Sequence, residues 1–233
     1  MNTITAALAA SAISAPIAAA GTMSYIADQR QLITFGANTS TSGQVSSEVE
    51  QQHPDAPYAD WNTAIAAGVS SALGFATIDS TLSETSIDAV GFASGGGLLP
   101  ADSFASISAL GASIHTISFD ISQTTTFSLD ANLRASGIGE SFIRLTNAPL
   151  GGGDTIYQFL NTDNNIDIQE QITLNAGQYT LTFHAHSGGR LDAPGQIEGS
   201  ARYDAAWTIV PAPPTALLPL LGLAATHRRR AAQ

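Results

Sequence analysis

The chain of 233 residues contains no cysteine and no lysine. Without cysteine there is no disulfide framework, no thiol catalysis and no thiolate-ligated zinc or iron–sulfur site. All 8 basic side chains are arginine, set against 19 acids, and charged residues make up only 12% of the chain. A formal charge of −11 argues against nucleic acid, because phosphate binding needs clustered Lys and Arg. Catalytic signatures are missing too: there is no Gly-x-Ser-x-Gly, no His-Glu-x-x-His and no phosphate-cradling Gly-Lys-Thr. Gly, Ser, Thr and Ala crowd the remainder, in a length that fits one domain with a real core.

The two ends read as addresses. Ile4, Ala6, Ala7, Leu8, Ala9, Ala10, Ala12 and Ile13 form a short apolar run, followed by Pro16 and Ala18-Ala19-Ala20 before Gly21. Signal peptidase needs small side chains at −3 and −1 of its cut, and Ala18 and Ala20 supply them. Residues 1–20 are therefore expected to be a helical signal peptide, although Met1-Asn2-Thr3 brings no basic side chain. At the other end, Val210-Pro211-Ala212-Pro213-Pro214 is a stiff break, Ala216 to Ala225 is apolar, and Arg228-Arg229-Arg230 is a basic stop. Those three Arg leave five for residues 21–227 against all 19 acids, a formal −14, so the cluster is a local device. Arg after an apolar segment holds that end on the cytoplasmic side. The apolar stretch falls short of the ~20 residues of a stable span, and Pro219 interrupts it. A short helix in transient contact with the inner membrane is expected.

An export signal, a Val-Pro-x-Pro motif, a short apolar helix and a terminal Arg cluster together resemble the PEP-CTERM class of bacterial sorting signals. The resemblance rests on Val210, Pro211, Pro213, Arg228, Arg229 and Arg230 and covers residues 210–233. It implies recognition and cleavage by an exosortase-type membrane transpeptidase, delivery to the cell surface and an association with exopolysaccharide. The usual acid between the two prolines is replaced by Ala212.

Between the ends the period is two. Phe127, Leu129, Ala131 and Leu133 face one way, while Ser128, Asp130, Asn132 and Arg134 face the other. Tyr179, Leu181, Phe183 and Ala185 repeat the pattern, as do Tyr203, Ala205, Trp207 and Ile209. One apolar and one wet face mark antiparallel sheets. Further strands are expected at 25–35, 60–67, 74–81, 85–92, 114–121, 141–147, 155–160 and 166–174. Turn signals stand at Gly95-Gly96-Gly97, Gly137-Ile138-Gly139, Gly151-Gly152-Gly153, residues 161–165, Asn175-Ala176-Gly177 and Ser187-Gly188-Gly189. The expected fold is all-β: an antiparallel two-sheet β-sandwich over residues 21–209, jelly-roll-like.

Candidate chemistry is thin. His184 and His186 share one strand face and could hold a metal, but on the polar parity they read better as solvent-side decoration. His115 has inward parity and reads as partly buried and hydrogen-bonded. Asp163, Asn165 and Asp167 offer alternating oxygens for a structural Ca²⁺, without the Gly and closing acid of an EF-hand loop. Asp102, Asp154 and Asp192 sit beside loops with the same ambiguity. Tyr58 and Trp61, in a turn-rich segment, are the candidates for stacking on sugar rings, although Trp61 reads better as buried. The expectation is a non-catalytic exported protein of the cell surface or extracellular matrix, with no cofactor required. A carbohydrate-binding module is the alternative, and a polysaccharide-active enzyme, needing two close carboxylates, is the weaker one.

Overall fold

The computed structural model describes residues 21–102, 104–149 and 152–211, so the expected signal and tail helices lie outside the described residues. Gly21–Val210 forms one compact unit. It contains β1 (Met23–Asp28), β2 (Gln31–Ser40), β3 (Val45–Gln52), β4 (Trp61–Val69), β5 (Ala72–Leu82), β6 (Ser86–Leu99) and β7 (Phe104–Ile121). It continues with β8 (Thr125–Gly137), β9 (Gly139–Thr146), β10 (Thr155–Asn161), β11 (Asn165–Leu174), β12 (Gly177–Leu191) and β13 (Gly195–Ile209). A seven-stranded sheet runs β10-β9-β12-β7-β2-β3, with β1 also on β7. A six-stranded sheet runs β11-β8-β13-β6-β5-β4. Every pairing is antiparallel.

The alternating faces close on each other as the period-two pattern requires. Phe127, Leu129, Leu133, Phe183, Tyr203 and Trp207 are each 0% exposed. Phe127 stacks on Trp207 with ring centroids 4.8 Å apart, and Phe119 touches both Phe127 and Tyr179 at 6.0 Å. Phe127→Ala is expected to cost about 3–5 kcal/mol in a urea melt, since the aromatic stack cannot collapse into the space. A loss below about 1 kcal/mol would contradict the packing described.

Three expectations need correction. The strand expected at 25–35 is two collinear strands, both on β7, broken at Gln29-Arg30. Edge strand β3 had no sequence signal because it buries nothing: its Val45 and Val49 are both 68% exposed among Ser, Glu and Gln. Gly95-Gly96-Gly97 and Ser187-Gly188-Gly189 are not turns but lie inside β6 and β12. There the sandwich thins until the sheets touch backbone to backbone. A Cβ on Gly95 would lie 2.6 Å from the Ser187 carbonyl oxygen, and one on Gly111 would lie 2.5 Å from that of Ser94. Glycine in these strands answers a close approach of two chains, not a reversal. Gly137 does mark the reversal between β8 and β9, at φ +60°.

Candidate functional site

Val210 and Pro211 are described, whereas Ala18, Ala20, Pro213 and Arg228, Arg229 and Arg230 lie outside the described residues. Trp61 is only 9% exposed and packs with Leu32, Ile65, Ala76 and Ile78, so it offers no flat face to a sugar. Tyr58 is half-buried and stacks on Tyr25, with centroids 5.4 Å apart and planes 19° apart. Its φ of +62° is left-handed, an unusual geometry for a bulky residue. That geometry lets its backbone N–H donate to Asp28 Oδ2 at 2.7 Å.

Asp28 leads to a cluster that the sequence pattern did not single out. Asp28 accepts from Arg30 Nε to Oδ1 at 2.9 Å and from Arg30 Nη2 to Oδ2 at 2.6 Å, while Arg30 Nη1 donates to Ser80 Oγ at 2.9 Å. The Arg30 side chain is 0% exposed and that of Asp28 2%. Burial alone pushes the Asp28 carboxyl up, but the bonds from Arg30 and the Tyr58 N–H and the guanidinium charge outweigh it, holding it below its ordinary value. The break at Gln29-Arg30 turns this pair inward, and the spacing Asp-x-Arg is the one clue the sequence carried. Tyr25 also donates to the Ser83 carbonyl, and burial pushes its hydroxyl up to about 12.

His115 corrects the expectation of a partly buried, hydrogen-bonded ring. It is 0% exposed, lies 5.7 Å from the Phe183 ring, and neither ring nitrogen has a hydrogen-bond partner. Burial, then the nearby Arg30 charge, push its imidazole down to about 3. His184 and His186 do share the outer face of the seven-stranded sheet, but His184 is half-buried against Phe142, edge to face at 4.8 Å. Burial, then His186, push His184 down to about 4.

Asp163, Asn165 and Asp167 are exposed. Asn132 Nδ2 donates to Asn165 Oδ1 at 2.8 Å and to Asp167 Oδ1 at 2.5 Å, while its Oδ1 accepts from Arg134 Nε at 2.7 Å. These ligand oxygens already face N–H donors. Asp192 pairs with exposed Arg190 at 2.7 Å, and the Asp154 N–H donates to Asn147 Oδ1. Among the described residues, no group of three or more His, Asp or Glu is arranged to hold a metal ion. No helix among them is long and apolar enough to cross a membrane.

A different surface forms a recess. At the thin end, the outer face of the six-stranded sheet holds a trough of about 660 Å³ lined by Leu73, Ser94, Gly96, Ser136, Glu198 and Ser200. Register builds it in rows across the strands. Phe75, Ser94, Ser200 and Ser136 form one row, and Phe92, Arg202 and Arg134 form the next. Small side chains make the floor, and Ser136 Oγ lies 3.0 Å from Ser200 Oγ. Phe75 and Phe92, half-exposed, stand beside it with centroids 6.0 Å apart and planes at 56°. Their outward parity, opposite Ala72, Ala76 and Ile78 and opposite Ile87, Ala89 and Ala93, was the signal that could have found them.

No family model matches this chain, and no curated protein matches it. Among solved structures it is similar to the enzymatically active domain of tailspike protein 4 from bacteriophage CBA120, at 12% identity and a TM-score of 0.26. That match covers 58% of this chain and 19% of the tailspike chain.

Proposed function

We propose that this chain is a non-catalytic exported β-sandwich of the cell surface or extracellular matrix, delivered there by its removable ends. The observation that carries this reading is where the motif resembling the PEP-CTERM class leaves the fold. Ile209 N–H donates to Thr85 O and Val210 N–H to Thr126 O, closing the last strand against its neighbours. Pro211 follows, exposed and without an N–H to continue the ladder. In this reading the transpeptidase takes the chain from Pro211 onward, and a cut there removes no ladder bond of the sandwich. The jelly-roll form fits the same reading. Strands β6-β13-β8-β11 face β7-β12-β9-β10, and the chain alternates between the sheets from β6 to β9 and again from β10 to β13, with added strands at one flank.

Protein recovered from the host surface is expected to show, by mass spectrometry, termini near Gly21 and near Pro211–Pro213. An intact Met1–Gln233 chain in the cytosol overturns the reading. Carbohydrate binding is the second reading, favoured by the trough and its outward aromatics. For glycoside hydrolysis, which needs a carboxylate pair, the trough lining offers Glu198 alone.

A further inference from the structure

We propose that the trough on the outer face of the six-stranded sheet binds an uncharged glycan chain, with Phe75 and Phe92 as its apolar platform. This deepens the carbohydrate-binding reading and is independent of whether the tail is cut. Phe75 and Phe92 stand side by side on the outward face, each only partly buried, in rows whose other members on β6, β13 and β8 are Ser and Arg. Their inward neighbours show that the core did not lack room for apolar faces: Ala76 and Ala93, one residue along from each, are 0% exposed. Leu73, 54% exposed, extends the apolar strip along β5 into the trough.

The rest of the trough suits hydroxyls. Ser94 and the bonded pair Ser136–Ser200 bring two free O–H donors and acceptor lone pairs, and Gly96 leaves the centre open: a Cβ there would meet nothing nearer than 3.7 Å. A sugar ring presents an apolar C–H face and a rim of hydroxyls, and this surface presents the complement of both. Arg202 stands opposite Phe92 in register, and Arg134 opposite Arg202. Arg202 is drawn to Asp204 at 3.3 Å and Arg134 to Asn132, which keeps two adjacent cations apart.

Charge selects the class of glycan. The same outward face carries Asp79, Asp88, Asp130, Asp167 and Asp204 from β5, β6, β8, β11 and β13, and Glu198 on the trough wall, against Arg134 and Arg202. The aspartates lie in the rows beyond Arg202 and Arg134, so a polyuronate or sulfated chain long enough to run along the strands past the arginines would meet an excess of like charge. An uncharged chain pays no such penalty and still finds donors and acceptors.

The test applies the purified full chain to an array of uncharged oligosaccharides, with polygalacturonate and a sulfated glycan as controls. Binding to at least one uncharged glycan and to neither polyanion is expected. Phe75→Ala with Phe92→Ala should weaken it by about tenfold or more, the loss of one good stacking contact. Gly96→Trp fills the trough without touching the core and should abolish binding while the melting temperature stays unchanged. Binding to polyanions only, no uncharged glycan bound, or full affinity in Gly96→Trp overturns the proposal. None of these outcomes bears on the mature termini, so failure here leaves the export reading to its own test.

Discussion

Asp28→Ala is expected to cost about 5 kcal/mol, the upper end for breaking a buried ion pair, and to leave much of the chain unfolded at room temperature. Domains of this kind stand only about 5–15 kcal/mol above their unfolded state. The size follows from what remains. Arg30 is 0% exposed, and a guanidinium cannot shed its proton to escape burial. Three of its contacts go to Asp28, and Ser80 alone is a neutral partner. Asp28 also accepts from the Tyr58 and Arg30 backbone N–H groups. Its loss therefore orphans a charge and two amides at once and releases the left-handed turn at Tyr58. Asp28→Ala with Arg30→Met removes both charges and should recover most of the stability, since apolar replacement of a buried pair is often neutral or better. Urea melts of the wild type, the single and the double variant decide it. A single variant within about 1 kcal/mol of wild type would mean that water reaches the pair.

The sequence showed the sandwich where side chains alternate and hid it where they do not. Phe127 to Leu133 and Tyr203 to Ile209 declare their faces because each inward position is large and apolar. β3 could not be seen, since an edge strand with little to bury has no period to display. The glycines misled because the same residue serves a tight turn at Gly137 and a sheet-to-sheet contact at Gly95. Only the partner backbone, distant in sequence, tells the two apart. The turn-rich flanks of Trp61 left a surface platform open beside the favoured buried reading, and it caps the small core around Leu32 and Ile78. Phe75 and Phe92 were legible as outward by parity, but the trough beside them comes from register among four strands, which no local pattern encodes. Asp28 and Arg30 drew no notice because a charged pair two residues apart is ordinary on a surface, and only the break in the strand turns it inward.

Acid should unfold this protein earlier than its carboxylates alone would dictate. His115 titrates near the ordinary imidazole value of 6.5 when unfolded and is pushed down to about 3 when folded. The unfolded chain therefore binds the proton first, and stability falls as pH drops from about 6.5 toward 3, by up to ~1.4 kcal/mol per pH unit. Between pH 6.5 and 4 this one ring removes roughly 3 kcal/mol by that slope. Protonation is opposed first by burial and then by Arg30; Asp28, which favours it, is already committed to Arg30. His184, held down to about 4, loses stability over the same window and in the same direction. Asp28 has a folded value below its ordinary 3.8, so its contribution is lost only under still stronger acid. His115→Leu deletes two unpartnered buried nitrogens as well as the proton site. It should lessen the decline between pH 6.5 and 4 by about half and leave the variant more stable than wild type at pH 4.5, and His184→Gln should remove a comparable share. Urea melts at pH 7.5 and 4.5 give the comparison. Equal slopes in wild type and His115→Leu would place the acid response outside the sandwich interior.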